Sequence, residues 1–400
     1  MRKVGRSAMG MSRFDEIVDR VGTGSLKYDF KEEFGYPADV LPMWVADMDF
    51  QTCPEVLAAL DERVRHGIFG YTLPDRDYVD VLNGWFEPRF QYHVREDRIV
   101  KVPGAVFGVA QVIQALTRPG DGVLIQEPVY YPFRNMIEAN GRKLLVNELI
   151  ETDGHYEMDY EDLERQLASN DVRLVILCSP HNPVGRVWTE AELRRFGELA
   201  VRYGVPVVSD EIHMDFVFGA RRHHMFASLD PAFEDITITC TSPSKTFNLA
   251  GLQLSNLFIS NSELRRAVKR NLYRTGYDEP NVFGLTACVA AYRHGADWLA
   301  DLLAYVHDNY RLLVDFIQHE NLPMRAVELQ GTYLAWVDMR PAGLTAQELE
   351  QTIVRDAKLW LDGGEMFGPS GAGFQRFNLA CPKSTLRRAL DGLKNAFMQD

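Results

Sequence analysis

A single lysine, Lys245, stands in a turn crowded with hydroxyls, Thr241-Ser242-Pro243-Ser244-Lys245-Thr246. It follows an apolar run from Ile236 to Cys240 that reads as a buried strand. Desolvation at such a place lowers a lysine's pKa and leaves an amine able to attack a carbonyl. Alone, the stretch reads more readily as a surface lysine in a polar turn. Three other apolar runs also end on polar or aromatic residues. Val123-Leu124-Ile125 runs into Tyr130-Tyr131, Leu174 to Cys178 into His181-Asn182, and Val207-Val208 into Asp210 and His213. Each has a plain reading: Asn182 as a turn residue before proline, Asp210 as a helix cap, His213 as a core histidine, the tyrosines as packing. Together, on successive strand ends, they form the set needed to hold a flat, polar, aromatic ring and bond to it covalently.

Pyridoxal phosphate matches that set group by group. Its aldehyde wants a lysine, Lys245. Its ring nitrogen wants a carboxylate to keep it protonated, Asp210. Its ring hydroxyl wants a donor, Asn182, assisted by His213. Its face wants an aromatic, Tyr130. Its phosphate wants backbone N–H groups at a helix start and nearby hydroxyls. Gly104-Ala105-Val106 opens a helical run, and Ser242 and Ser244 flank the lysine.

The elements that must position these residues follow from the hydrophobic pattern. From about residue 100, short β-branched runs alternate with helical ones. Near-continuous apolar strands of this kind argue for an α/β fold with a mainly parallel sheet between helices. The clearest helix start is the capping box Thr189-Glu190-Ala191-Glu192. The spacing also predicts helices near 13–20, 54–67, 75–90 and 286–319, and Val40 to Phe50 is a candidate strand. The last section alternates strand candidates at 333–337 and 375–379 with helices near 345–359 and 385–398, a smaller α+β domain. The expected division is 1–50 as a segment joining the small domain, 51–285 as the large cofactor-binding domain, and 286–400 as an interdomain helix plus the small domain.

Composition narrows the class. The 400 residues are 46% hydrophobic and carry a net charge of −13, which argues against a nucleic-acid partner. The five cysteines are scattered, with no CxxC pair. They read as free thiols in a reducing compartment, with no metal site. The basic start Met1-Arg2-Lys3 has no apolar stretch after it, and no run is long enough to span a membrane. A cytoplasmic protein is expected.

Several segments resemble a known family: LPMWVADMDF at 41–50, HGIFGYT at 66–72, EPVYYPF at 127–133, SPHNPVGRVW at 179–188, SDEIHMDFVF at 209–218, SPSKTFNLAGLQ at 242–253 and QRFNLACP at 375–382. In this order they resemble the fold-type I pyridoxal-phosphate enzymes of the class I/II aminotransferase superfamily, and within it the MalY/PatB branch of cystathionine β-lyase-like carbon–sulfur lyases. The resemblance implies a seven-stranded-type sheet and a homodimer whose active site is shared across the interface. It implies that Tyr71 meets the partner's cofactor phosphate, that Ser242 binds phosphate, and that Arg376 grips the substrate α-carboxylate beside the Val45-Ala46 backbone. It assigns proton transfer to Lys245 and Tyr131. Gln253 replaces the arginine usual in aminotransferases, and His213 a usual tyrosine; both departures match the lyase branch. Lys27-Tyr28-Asp29 departs even from that branch, where a tryptophan is usual. The implied reaction is β-elimination from cystathionine or related S-substituted cysteines; transamination is the alternative. Some members of the branch also contact a transcription factor.

Overall fold

The computed structural model describes residues 12–169 and 171–398. The basic N-terminal start lies outside the described residues. Seven strands make the central sheet: β1 (Ile99–Val102), β2 (Gly122–Ile125), β3 (Lys143–Val146), β4 (Val172–Cys178), β5 (Val207–Asp210), β6 (Thr237–Thr241) and β7 (Ser255–Ile259). Their order is β1-β7-β6-β5-β4-β2-β3, and β7 alone runs antiparallel to its neighbours. The fold is the expected α/β class with a mixed, mainly parallel seven-stranded sheet.

Strand alternation explains the cover on both faces. Val175, Leu177 and Val207 point into one core, with Leu193 and Phe196 of the helix Glu190–Arg202. Leu174, Ile176 and Val208 point into the other, with Val109 and Val112 of the helix Ala105–Leu116. Each such side chain, removed from water, contributes roughly 1.5–3 kcal/mol. The Thr189/Glu192 capping box forms as its spacing predicts.

A second, antiparallel sheet holds β8 (Arg325–Ala326), β9 (Leu334–Asp338), β10 (Asp362–Gly363) and β11 (Phe374–Asn378), in the order β8-β9-β11-β10. The helix Lys383–Phe397 follows it.

Two sequence expectations are corrected. The helix expected over 13–20 is a single turn, Arg13–Asp15. The candidate strand at 40–50 is only Leu41–Pro42, paired with Leu359–Trp360. From Trp44 to Met48 each backbone carbonyl accepts from a side chain instead of a neighbouring strand. The helical region expected over 286–319 consists of two helices, Val282–His294 and Ala296–His319, broken at Gly295. A Cβ on Gly295 would lie 2.2 Å from the Phe247 ring, so close packing against the turn after Lys245 demands glycine. Among the described residues no helix is long and apolar enough to cross a membrane, and no metal-binding cluster occurs.

Candidate active site

Register brings the strand ends level. Cys178, Asp210 and Cys240 are direct partners across β4, β5 and β6. The residues that follow them therefore emerge along one edge of the sheet. Lys245 sits near the end of the short helix Pro243–Thr246. Ser242 caps that helix: its Oγ accepts from the Ser244 N–H at 3.1 Å and donates to the Leu254 carbonyl at 2.8 Å. The lysine is thus presented from a turn with its polar groups satisfied.

The Lys245 amine donates to the Ala46 carbonyl at 2.6 Å. Burial pulls its pKa down to about 8; Asp47 and Asp210 oppose that pull, and the Arg376 charge adds to it. Asp210 is 4% exposed, and burial pushes its carboxyl up to about 7, against the Ile212 N–H and the Lys245 charge. A buried carboxylate so poorly paired suits a cationic ring nitrogen. Burial also holds His213 well below the ordinary imidazole value, and its Nδ1 has no partner. Its ring packs edge-on against Tyr333 at 5.7 Å.

Asn182 links two parts of the site. Its backbone carbonyl accepts from the Tyr130 N–H at 3.0 Å, and its Oδ1 accepts from Arg376 Nη1 at 3.0 Å. Tyr130 and Tyr131 lie side by side at 5.6 Å, and burial raises the pKa of both. At the other end, Ala105 and Val106 open the helix Ala105–Leu116, whose start carries no side-chain cap. Its first N–H groups are thus free for a phosphate, and no atom lies within 4 Å of where a Cβ on Gly104 would stand.

Arg376 lies on β11, 2% exposed, its guanidinium 4.8 Å from the Phe367 ring centre. Besides Asn182, it donates from Nη2 to the Trp44 carbonyl at 2.9 Å and to the buried carboxylate of Asp362. Trp44 opens a strap of backbone, residues 44–50, laid over the site. Asn378 donates to the Val45 and Asp47 carbonyls at 2.7 and 2.5 Å. Asn248 accepts from the Met48 N–H and donates to the Met48 and Phe50 carbonyls, each at 3.0 Å. Asn248 takes a positive φ of 58°, which asparagine tolerates better than most residues.

The site therefore gathers Lys245, Asp210, Asn182, His213, Tyr130, Tyr131, Arg376, Val45 and Ala46. Tyr71 stands apart, 98% exposed, on the wall of a cavity of about 830 Å³ that also touches Pro103, Gln253 and Tyr277. Sequence reasoning missed Tyr333, Asp362, Asn378 and Asn248. The two asparagines were within reach, lying two and three residues beyond Arg376 and Lys245 in quoted motifs. Lys27, set aside as a departure, is 1% exposed and ion-paired with Asp49 at 3.0 Å. Arg20 bridges Asp47 and Asp49 beside it, at 2.6 and 2.9 Å. This charged cluster anchors the strap behind the Lys245 amine.

Residues 38–393 match the family model for aminotransferase class I and II. The chain belongs to that family. Among family members it is 43% identical to cystathionine beta-lyase PatB of Bacillus subtilis, over 96% of this chain and 99% of that protein. It is 35% identical to protein MalY of Escherichia coli over 96% and 99% of the two chains. Cystalysin from Treponema denticola, solved with a pyridoxal 5'-phosphate cofactor, superposes with a TM-score of 0.94 at 34% identity, over 97% of this chain and 99% of that one. The family fold and the cluster around Lys245 thus agree with the resemblance carried by the sequence segments.

Proposed function

We propose that the protein is a pyridoxal-phosphate-dependent carbon–sulfur β-lyase. It cleaves L-cystathionine or related S-substituted cysteines to a thiol, pyruvate and ammonia. The observation that carries this reading is the end-to-end match to PatB, 43% identical over 96% of the chain. The residues around Lys245 supply parts suited to that chemistry.

When bound, the cofactor acts as an electron sink that makes the α-proton of an amino acid removable. Lys245 would anchor it and, as a free amine, would act as the base; an amine with a pKa near 8 is in part neutral at physiological pH. Asp210 would hold the ring nitrogen's proton. Asn182 and His213 would meet the ring hydroxyl, and Tyr130 the ring face. Ala105, Val106 and Ser244 would hold the phosphate, with Ser242, its hydroxyl engaged by the Ser244 N–H and the Leu254 carbonyl, shaping the turn behind them. Arg376 takes the α-carboxylate beside Val45 and Ala46, in keeping with guanidinium geometry. Tyr131, its hydroxyl kept protonated by burial, would give a proton to the leaving thiolate.

The patch around Tyr71 supports pairing with a second copy. Ile68, Phe69 and Leu73 beside it are 65%, 54% and 70% exposed, an apolar surface that a homodimer would cover. Tyr71 would then complete the partner's phosphate site. Five free, buried cysteines suit a cytoplasmic location.

Transamination uses the same residues and is the second reading. Incubation of the holoenzyme with L-cystathionine, with and without a keto acid, separates the two. The lyase releases thiol and pyruvate in both; an absolute need for keto acid would overturn it.

A further inference from the structure

Arg376 is not free to receive a carboxylate as it stands. An arginine has five N–H donors. Both hydrogens of Nη2 are engaged, by the Trp44 carbonyl and by Asp362. One hydrogen of Nη1 goes to Asn182. The two left, one on Nη1 and one on Nε, do not share an edge of the guanidinium, and Nε has no partner. A grip by two parallel bonds therefore requires Nη2 to release an acceptor.

The two candidates differ in charge and anchorage. The Trp44 carbonyl is neutral and belongs to the strap. Asp362 is a carboxylate, 2% exposed, directly opposite Arg376 in the β10–β11 register; burial pushes its pKa up, and its ion pair with the Arg376 guanidinium opposes that push and favours the anion. Charge-assisted bonds are the stronger kind. The strap carbonyl is thus the group that yields, and Asp362 stays.

Substrate carboxylate and Asp362 then face one guanidinium in a site closed to water, where like charges repel strongly. We propose that Asp362 is a positioning counter-ion that shares the Arg376 charge and so sets how tightly the enzyme grips the α-carboxylate. Asp362 moderates that grip, which favours release of carboxylate-bearing product. The inference rests on the reading that Arg376 takes the α-carboxylate.

The test uses L-alanine and ethylamine, which differ only by the carboxylate. Binding of each to the holoenzyme is read from the shift in cofactor absorbance, in the wild type and in Asp362→Asn, Asp362→Glu and Arg376→Leu. Asparagine keeps an acceptor for Nη2 and loses the charge. The preference for alanine over ethylamine should rise about tenfold in Asp362→Asn, the scale of one like-charge repulsion removed at short range. Ethylamine binding itself should not move. KM for L-cystathionine should fall while kcat does not rise. Asp362→Glu, which keeps the charge, should retain the wild-type preference, and Arg376→Leu should lose it.

A preference unchanged or lowered in Asp362→Asn, with Arg376→Leu behaving as stated, overturns the role of Asp362 and leaves that of Arg376 standing. A preference that survives Arg376→Leu overturns both. A raised preference in Asp362→Glu also overturns the charge-sharing role, whatever the fate of Asp362→Asn.

Discussion

Lys245 and Tyr333 donate to one acceptor, the Ala46 carbonyl, at 2.6 and 2.8 Å. The amine comes from the turn after β6, the phenol from just before β9, and the acceptor from the strap. Large sheet, small sheet and N-terminal segment thus meet at a single oxygen. Tyr333→Phe should leave that carbonyl held by the lysine alone. A net loss of about 0.5–1.5 kcal/mol is expected for one such bond. Denaturant unfolding of the cofactor-free protein checks the magnitude, and a fall in kcat of the holoenzyme larger than the change in KM checks that the lysine has lost its alignment.

The strap gives a second prediction. Asn378 satisfies the carbonyls of Val45 and Asp47, both on the backbone beside Arg376. Asn378→Ala should cost about 1–3 kcal/mol of stability through the two acceptors left unpaired. KM for amino-acid substrates should rise, because the backbone lining the carboxylate site is no longer fixed. Steady-state kinetics beside thermal unfolding would show both effects.

The lysine sets a pH limb. Its amine titrates near pH 8, pulled down by burial and held up by Asp47 and Asp210. A base must be neutral, so the α-proton-abstracting activity should rise as pH increases through about 8 and then level off. Asp47→Asn removes an anion that favours the ammonium. The limb should move to lower pH in that variant, measurable as a shift in the pH profile of kcat.

Asp210 makes an opposite statement about stability. Its folded pKa, about 7, stands above the ordinary 3.8 because of burial. The folded cofactor-free protein therefore holds a proton that the unfolded chain releases. This contribution is fully present below about pH 4 and is lost as pH rises to about 7 and beyond. Cofactor-free wild type should lose more thermal stability across that window than cofactor-free Asp210→Asn. Bound cofactor, bringing a cation to the carboxylate, should reduce the difference.

The sequence carried the large sheet well, for a physical reason: strands buried on both faces must be nearly continuous in apolar residues, and the residues after them fall at one edge. Lys245, Asp210 and Asn182 were legible for that reason. The strap was not. Its order comes from Asn248, Asn378 and Arg376, remote in sequence and bonded to backbone carbonyls that carry no side-chain signal. Asp362 was hidden likewise, since its meaning lies in the register that sets it opposite Arg376. The antiparallel direction of β7 has no compositional mark. The need for glycine at 295 depends on a Phe247 ring from a distant turn. Tyr71 was placed by resemblance alone, and on the single chain its side chain stands exposed, away from the cluster around Lys245.

Under the proposed function, Lys245 removes the α-proton and the bond to sulfur then breaks. The most direct measure of this is the yield of thiol and pyruvate from L-cystathionine supplied to the holoenzyme without keto acid, with Lys245→Ala in parallel. The account predicts equal amounts of the two products from the wild type over many turnovers, and none from the variant. Turnover retained by Lys245→Ala, or wild-type substrate consumed without thiol release, would contradict it.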